Sequence, residues 1–196
     1  MQQARRYAWV STGVFVVTVL VCVLLKPNNV WGHAGLSLYG NLPLTVAPYA
    51  LGLLVSDYFL LRVCQHLERQ DVTGGLRTGL IMIVIAVVGI VVTPSLSGAW
   101  LVQDLHVLFG LAVFLIQLVL SWQYLLQTQH NVVSWLLFGL QVIAIGLVLL
   151  SFRPVAVLQL MLPGQILAVI AFAALVIRAV DTKDKGHAST LSARNM

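Results

Sequence analysis

One carboxylate, Asp57, lies in the middle of the apolar run GLLVSDYFLLR. Gln117 and Gln141 occupy comparable positions, 12 and 11 residues from one end of their own apolar runs. At 1.5 Å per helical residue, the three side chains would lie at about the same depth, roughly 16–18 Å below one surface. An amide can donate to a carboxylate or accept from a carboxylic acid. The pattern therefore predicts one polar layer shared by three helices, with Asp57 at least partly protonated.

A polar stripe follows one face of the run that contains Gln117. At 100° per residue, five side chains fall on that face: His106, Gly110, Gln117, Ser121 and Tyr124. The opposite face is rich in Leu, Val and Phe. Such a stripe is typical of a helix that lines a bundle core or a narrow polar cavity.

Histidine spacing raises the question of a haem or metal site. Asp104 and His106 are two residues apart, so they point to different sides of a helix. We expect Asp104 to cap the helix N-terminus and His106 to be a hydrogen-bonding residue at the interface. A bis-histidine haem is a weaker alternative, with His33 and His106 at one membrane face and His66 and His130 at the other.

Other searches for chemistry give nothing specific. The sequence has no glycine-rich phosphate loop, no Cys/His cluster with zinc spacing and no His-Glu-x-x-His. Cys22 and Cys64 are expected near opposite ends of neighbouring helices, too far apart for a disulfide. We therefore expect no metal or cofactor, and no catalytic constellation favours an enzyme.

The composition identifies the solvent around these side chains. Hydrophobic residues make up 60% of the 196 residues and charged residues 9%, with a mean hydropathy of +0.97. A soluble domain carries about a quarter charged residues. Runs of about 20 apolar residues span a bilayer as helices. The chain is thus predicted to be an all-α integral membrane protein, a six-transmembrane-helix bundle, with helices at about 7–25, 45–64, 78–94, 105–126, 132–152 and 155–180.

The last predicted helix contains a Pro163-Gly164 break, and proline bends or interrupts a helix. Either one kinked helix begins near Pro154, or an interfacial segment precedes a shorter span. Residues 181–196 are expected to form a short, mobile polar tail.

Basic residues predict the orientation. With the N-terminus inside, nine of the eleven Lys and Arg residues are cytoplasmic, and Lys26 and Arg153 lie outside, as the positive-inside rule requires. The net charge of +5 is therefore an orientation signal and does not indicate nucleic-acid binding. Both termini are expected in the cytoplasm, and the protein in a cell membrane, most simply a prokaryotic plasma membrane.

Two segments resemble a known family. The run GLSLYGNLPLTVAPYALGL, residues 35–53, is similar to the passage after the first helix of the FRAG/DRAM group of six-helix membrane proteins. The run DLHVLFGLAVFLIQLVLSWQYL, residues 104–125, is similar to that group's fourth helix. The group includes eukaryotic proteins of GPI-anchor lipid remodelling, autophagy modulation and plasma-membrane lipid organisation, together with bacterial relatives. The resemblance implies that the positions of interest are Ser37, Gly40, Pro43, His106 and Gly110.

These features lead to a functional hypothesis: a polar cavity open to the outer leaflet binds or handles a lipid or other amphiphile. Its rim would be the loops at 26–44 and 94–104. The expected ligand-binding residues are Asp57, His106, Gln117, Gln141, Ser121, Tyr124, Ser37 and Asp104. Membrane lipids are the expected partners, together with another membrane protein if the chain is an accessory subunit. The alternatives are a structural subunit without ligand, a small proton-coupled transporter and the haem electron carrier.

Overall fold

A computed structural model describes residues 2–30, 35–68, 74–94, 98–127, 131–151 and 160–194 of the chain. Six helices in these ranges are long and apolar enough to cross a membrane, and the described residues contain no strand. The predicted all-helical membrane protein with six spanning helices is confirmed. The helices are α1 (Gln2–Leu25), α2 (Val46–Glu68), α3 (Gly74–Val92), α4 (Trp100–Gln127), α5 (Val132–Ser151) and α6 (Met161–Arg194).

The predicted helix ends differ from the observed ones mainly where polar residues continue a helix. α1 begins five residues earlier than the apolar run, at Gln2, and α4 begins at Trp100. Apolar runs mark the part of a helix that lies in hydrocarbon, whereas the helix itself extends into the interfacial layer. Asp104 therefore lies inside α4. The expectation that Asp104 caps the N-terminus of this helix is wrong.

The start of α6 accounts for the Pro163-Gly164 pair. Pro163 is the third residue of the helix, in the first turn, where a missing N–H leaves no hydrogen bond unmade. A Cβ at Gly164 would lie 2.9 Å from the Ala144 carbonyl oxygen of α5, so glycine here allows the two helices to pack closely. Residues 152–159, where a kinked helix could have begun, lie outside the described residues.

The far end of α6 extends to Arg194, whereas the sequence predicted that the helix ends near residue 180 and that a polar tail follows. Adding residues to an existing helix requires no new nucleation, which is the costly step in helix formation. The backbone of 181–194 can therefore continue the helix although its sequence is polar.

The six helices form a bundle with α6 nearest its centre. Half of the α6 span is buried, compared with 22–33% of each of the other spans. α1 packs on α2 and α6, α3 lies between α2 and α4, and α5 packs mainly on α6. Within the described residues, α4 and α5 make the least extensive contact of any two helices that are consecutive in the chain. We name this contact the α4–α5 seam.

The two ends of the bundle are fixed by different contacts. At the end that holds the start of α1, which we name the terminal end, His66 on α2 hydrogen-bonds Gln3, and Arg77 forms an ion pair of 2.8 Å with Glu68. Asn131 caps α5 by accepting from the Val133 amide at 3.1 Å.

The opposite end, named the loop end, carries residues 26–30 and 35–45, the described parts of the connection from α1 to α2. They contain two short 3-10 helices, Pro27–Asn29 and Gly35–Asn41. Tyr39 is fully buried, and its carbonyl accepts from the Thr45 hydroxyl at 2.7 Å. Burial also raises the pKa of the Tyr39 hydroxyl. The second 3-10 helix is thus packed into the bundle and closes it at this end.

Glycines set the distance between α1 and α2. A Cβ at Gly52 would lie 2.6 Å from Thr18 Cβ, and Thr18 is held by a 2.8 Å hydrogen bond from its hydroxyl to the Val14 carbonyl. We predict that Gly52→Ala lowers the stability of the protein by about 1–3 kcal/mol, because overpacking outweighs the better helix propensity of alanine. The thermal unfolding midpoint in detergent measures this effect.

The matched control is Gly139→Ala on α5, because a Cβ at Gly139 would meet no atom within 4 Å. That variant should unfold at the wild-type temperature or slightly above it. Equal midpoints for the two variants would show that α1 and α2 do not pack at the distance described.

Candidate functional site

The polar stripe of α4 faces the interior, as predicted. His106, Gln117, Ser121 and Tyr124 are each at least 90% buried. The structure does not, however, assemble the expected site residues into one cavity. They divide among a larger cavity at the loop end, a smaller cavity around Asp57, and a hydrogen-bonded pair nearer the terminal end.

The larger cavity has a volume of about 450 Å³, within the range of about 300–1,000 Å³ typical of small-molecule sites. Its walls come from α1, α2, α3, the second 3-10 helix, the first half of α4, the end of α5 and the start of α6. Most of the lining is aliphatic or aromatic. The polar side chains in the lining are Ser37, Tyr49, His106 and Gln165. We name Ser37, His106 and Gln165 the polar corner.

His106 is positioned by the end of α3. The last carbonyls of a helix have no partner inside the helix, and the Thr93 carbonyl oxygen accepts a hydrogen bond from His106 Nδ1. A carbonyl can only accept, so Nδ1 carries the proton. On the other side of the ring, Nε2 lies 2.8 Å from the Ser37 hydroxyl oxygen. In the neutral tautomer with its proton on Nδ1, Nε2 accepts and Ser37 donates.

Ser37 is carried by the second 3-10 helix, which is anchored to α6. The Leu36 amide donates to Gln165 Oε1 at 2.7 Å. Gly35, the first residue of this 3-10 helix, has a φ of 57°, a left-handed conformation that glycine adopts without strain. These contacts bring Ser37, from a loop, beside His106 on α4.

The cavity opens sideways through the α4–α5 seam. Val107 and Leu111 on α4 and Leu149 on α5 line it, and they are 53%, 41% and 49% exposed. A Cβ at Gly110 would meet no atom within 4 Å. The opening is therefore on the lateral surface of the bundle, between two helices that are long and apolar enough to cross a membrane.

The smaller cavity, of about 100 Å³, contains Asp57 and Gln117. Asp57 is 6% exposed and Gln117 3%. Ser11 and Ser56 also line it, and the two hydroxyl oxygens lie 3.1 Å apart. Among the described residues, neither Asp57 Oδ2 nor Gln117 Oε1 has a hydrogen-bond partner.

The two cavities lie against one another. Four apolar residues line both: Phe15, Leu53, Val87 and Val113. Asp57, one of the expected ligand-binding residues, thus lines the smaller cavity and not the larger one.

The third predicted member of the polar layer, Gln141, is elsewhere. Its Oε1 accepts from the Ser121 hydroxyl at 2.7 Å, and both side chains are buried. This bond joins α4 and α5 on the terminal side of the cavity. Gln141 thus holds the seam together and does not contact Asp57. Tyr124, one turn further along α4, is buried beside α6.

Asp104 is exposed and lines neither cavity, although the sequence placed it at the mouth of the site. The haem alternative depends on four histidines, of which His33 and His130 lie outside the described residues. Both ring nitrogens of His66 and of His106 are engaged in hydrogen bonds. A metal on either ring would have to displace one of these bonds.

The sequence did not indicate Gln165 of the polar corner or Thr93, which binds His106. Gln165 is a single polar residue in an apolar stretch, one turn from Met161 at the start of α6, and that position was the available signal. Thr93 contributes a backbone carbonyl. Every residue has this group, so the residue type gives no signal for it.

Comparison of this chain with protein-family models, with curated proteins and with solved structures gives no match. The resemblance to the FRAG/DRAM group therefore stays a hypothesis drawn from residues 35–53 and 104–125.

The environment of Asp57 predicts its protonation state. The described residues that line its cavity include no basic side chain, and an unpaired buried carboxylate is far more costly than the neutral acid. We expect the infrared spectrum at neutral pH to contain a carboxylic-acid carbonyl band that Asp57→Asn removes.

Because asparagine matches the neutral acid in shape, Asp57→Asn should change the unfolding free energy by less than about 1 kcal/mol. An ionised-carboxylate band that is present in the wild type and lost in Asp57→Asn would contradict the prediction.

Proposed function

We propose that this protein binds a membrane amphiphile, an acyl-chain lipid or a related molecule, in the cavity at the α4–α5 seam. One observation carries the proposal: a cavity of about 450 Å³ with an apolar lining and a single polar corner. A molecule with one polar group and an apolar chain matches that division of chemistry.

The polar corner determines selectivity. An acyl chain gains little when it moves from a bilayer into the cavity, because lipid tails are as apolar as leucine side chains. Discrimination must therefore come from hydrogen bonds at Ser37, His106 and Gln165. Gln165 Nε2 is the side-chain donor left there once Oε1 accepts from Leu36. A buried polar group left unpaired costs about 1–3 kcal/mol, so ligands without an acceptor for this donor are disfavoured.

The α4–α5 seam provides the entrance. α4 and α5 are joined near the terminal end by the Ser121–Gln141 hydrogen bond and by ring contacts of Trp122 with Trp135 and Phe138. At the loop end, Val107 and Leu149 remain half exposed. A ligand can thus enter from the side without breaking the contacts that join α4 and α5 near the terminal end.

The membrane orientation is part of the proposal. The terminal end carries Arg5, Arg6, Arg62, Arg77 and Arg178, and the loop end carries Lys26. The positive-inside rule then places the terminal end in the cytoplasm and the cavity in the outer leaflet of a cell membrane.

The family resemblance supports the same site. Ser37, His106 and Gly110, three of the positions it indicated, line the cavity. Gly40 is next to the cavity: a Cβ there would lie 2.7 Å from the ring of Tyr49, which is itself a lining residue. Pro43 is exposed and does not contribute to the lining.

Photo-crosslinking tests the proposal. The purified protein in a mild alkyl maltoside detergent is irradiated with a long-chain fatty acid that carries a diazirine on its chain. We expect crosslinked peptides from the first half of α4 and the start of α6. Gly110→Leu should reduce their yield roughly tenfold, which corresponds to a loss of about 1.4 kcal/mol, because its side chain fills the open space at residue 110.

Gly139→Leu is the matched control, since residue 139 is also open and lies outside the cavity lining. Both substitutions replace a helical glycine with a good helix former, so neither should impair folding. Crosslinks spread evenly over the exposed faces, with equal yields in both variants, would contradict amphiphile binding in the cavity.

A further inference from the structure

The polar corner holds a serine and a histidine in the arrangement of a nucleophile and its general base. Ser37 Oγ lies 2.8 Å from His106 Nε2, within the range of about 2.6–3.2 Å expected of such a pair. The base in turn is oriented by a third group, the Thr93 carbonyl, which binds Nδ1. Orientation of the base by a third group is one part of the arrangement found in catalytic triads.

The tautomer of His106 is suited to proton transfer. Because the Thr93 carbonyl requires a proton on Nδ1, the lone pair of the neutral ring lies on Nε2, toward Ser37. A carbonyl carries a partial negative charge, so it also stabilises the imidazolium that forms when Nε2 takes a proton. The backbone oxygen thus has the orienting role that a carboxylate has in most triads.

Gln165 supplies the remaining element. Its Oε1 is fixed by the Leu36 amide at 2.7 Å, so its Nε2 is the side-chain group left to donate to a ligand. A donor fixed near the nucleophile can stabilise the oxyanion that develops when a carbonyl is attacked. Gln165 and Ser37 line the same cavity.

We infer that Ser37 is a nucleophile for acyl esters of membrane amphiphiles, with His106 as its general base. This inference rests on the proposed function, since the cavity is what would bring an acyl ester to Ser37. The substrate class follows from the lining: an acyl chain lies among the apolar side chains, and the ester carbonyl lies at the polar corner.

The reaction balances with water as the second substrate. Ser37 Oγ forms a bond to the ester carbonyl carbon while its proton moves to His106 Nε2. The bond to the alkoxy oxygen then breaks, and the leaving alcohol takes that proton. A water molecule next attacks the acyl-Ser37 ester and gives its proton to Nε2. The bond from the acyl carbon to Oγ breaks, Oγ recovers the proton, and a free fatty acid leaves.

A fluorophosphonate bearing an alkyl chain and a fluorophore tests this inference directly, because it phosphonylates serines that are activated by a base. We expect the wild-type protein to be labelled on the peptide that contains Ser37. Ser37→Ala should abolish the label. His106→Gln, which keeps a hydrogen-bonding side chain but lacks the base, should slow labelling by about 100-fold or more.

Ser56→Ala is the control for labelling of serines in general. Ser56 also lines a cavity and is partly buried, but its hydroxyl is bonded to the Ser11 carbonyl at 3.0 Å and has no histidine partner. This variant should be labelled at the wild-type rate. A wild-type protein labelled equally at Ser37 and Ser56 would overturn the inference, since accessibility and not a base would then explain the reaction.

The fatty-acid crosslink separates this inference from the function on which it rests. A wild-type protein that is crosslinked in the cavity and labelled at Ser37, with the label lost in Ser37→Ala, supports a nucleophile in a binding site. A wild-type protein that is crosslinked in the cavity but is not labelled would overturn the nucleophile and leave amphiphile binding intact. Absence of both signals would overturn both proposals.

Discussion

A polar side chain inside a membrane-spanning bundle has no water with which to form hydrogen bonds, so its partners must come from the protein or from a ligand. That constraint organises this molecule. Ser121 and Gln141 satisfy each other across α4 and α5. His106 links the end of α3 to the second 3-10 helix through Thr93 and Ser37. These bonds join the helices at particular points. The Ser121–Gln141 bond joins α4 and α5 near the terminal end, and the loop end of the α4–α5 seam stays open.

The cavity follows from the uneven distribution of contacts along the α4–α5 seam. The seam is held at one end by the Ser121–Gln141 bond and open at the other, where Gly110 has no side chain to fill the space. Hydrocarbon faces the opening, and the polar corner lies within. Binding of an amphiphile and attack on its ester carbonyl would thus depend on the same contacts that close the loop end of the bundle.

Much of the fold could be predicted because six apolar runs reflect the physics of membrane insertion directly. Residue counts suggest a depth for Asp57, Gln117 and Gln141, but they do not give the direction of each side chain, because the rotation of each helix about its axis is set by packing against its neighbours. Gln141 consequently turns toward Ser121, while Asp57 and Gln117 share a separate cavity.

The candidate site was less predictable than the fold. His106 was expected from its place on the α4 stripe, and Ser37 from the family resemblance. Their contact joins residues 69 positions apart through a loop whose path no periodicity describes. The location of Gln165 depends on the residue at which α6 begins. Proline is tolerated in the first turn of a helix, so the sequence did not show whether α6 begins before or at the Pro163-Gly164 pair.

Native mass spectrometry of the wild-type protein and Gly110→Leu, each released from mild detergent, tests the central claim most directly. The account predicts that the wild-type polypeptide retains one amphiphile from the membrane in which it was made, and that Gly110→Leu loses this mass while remaining folded. A bare polypeptide mass for the wild type, or an identical amphiphile mass on both proteins, would contradict it.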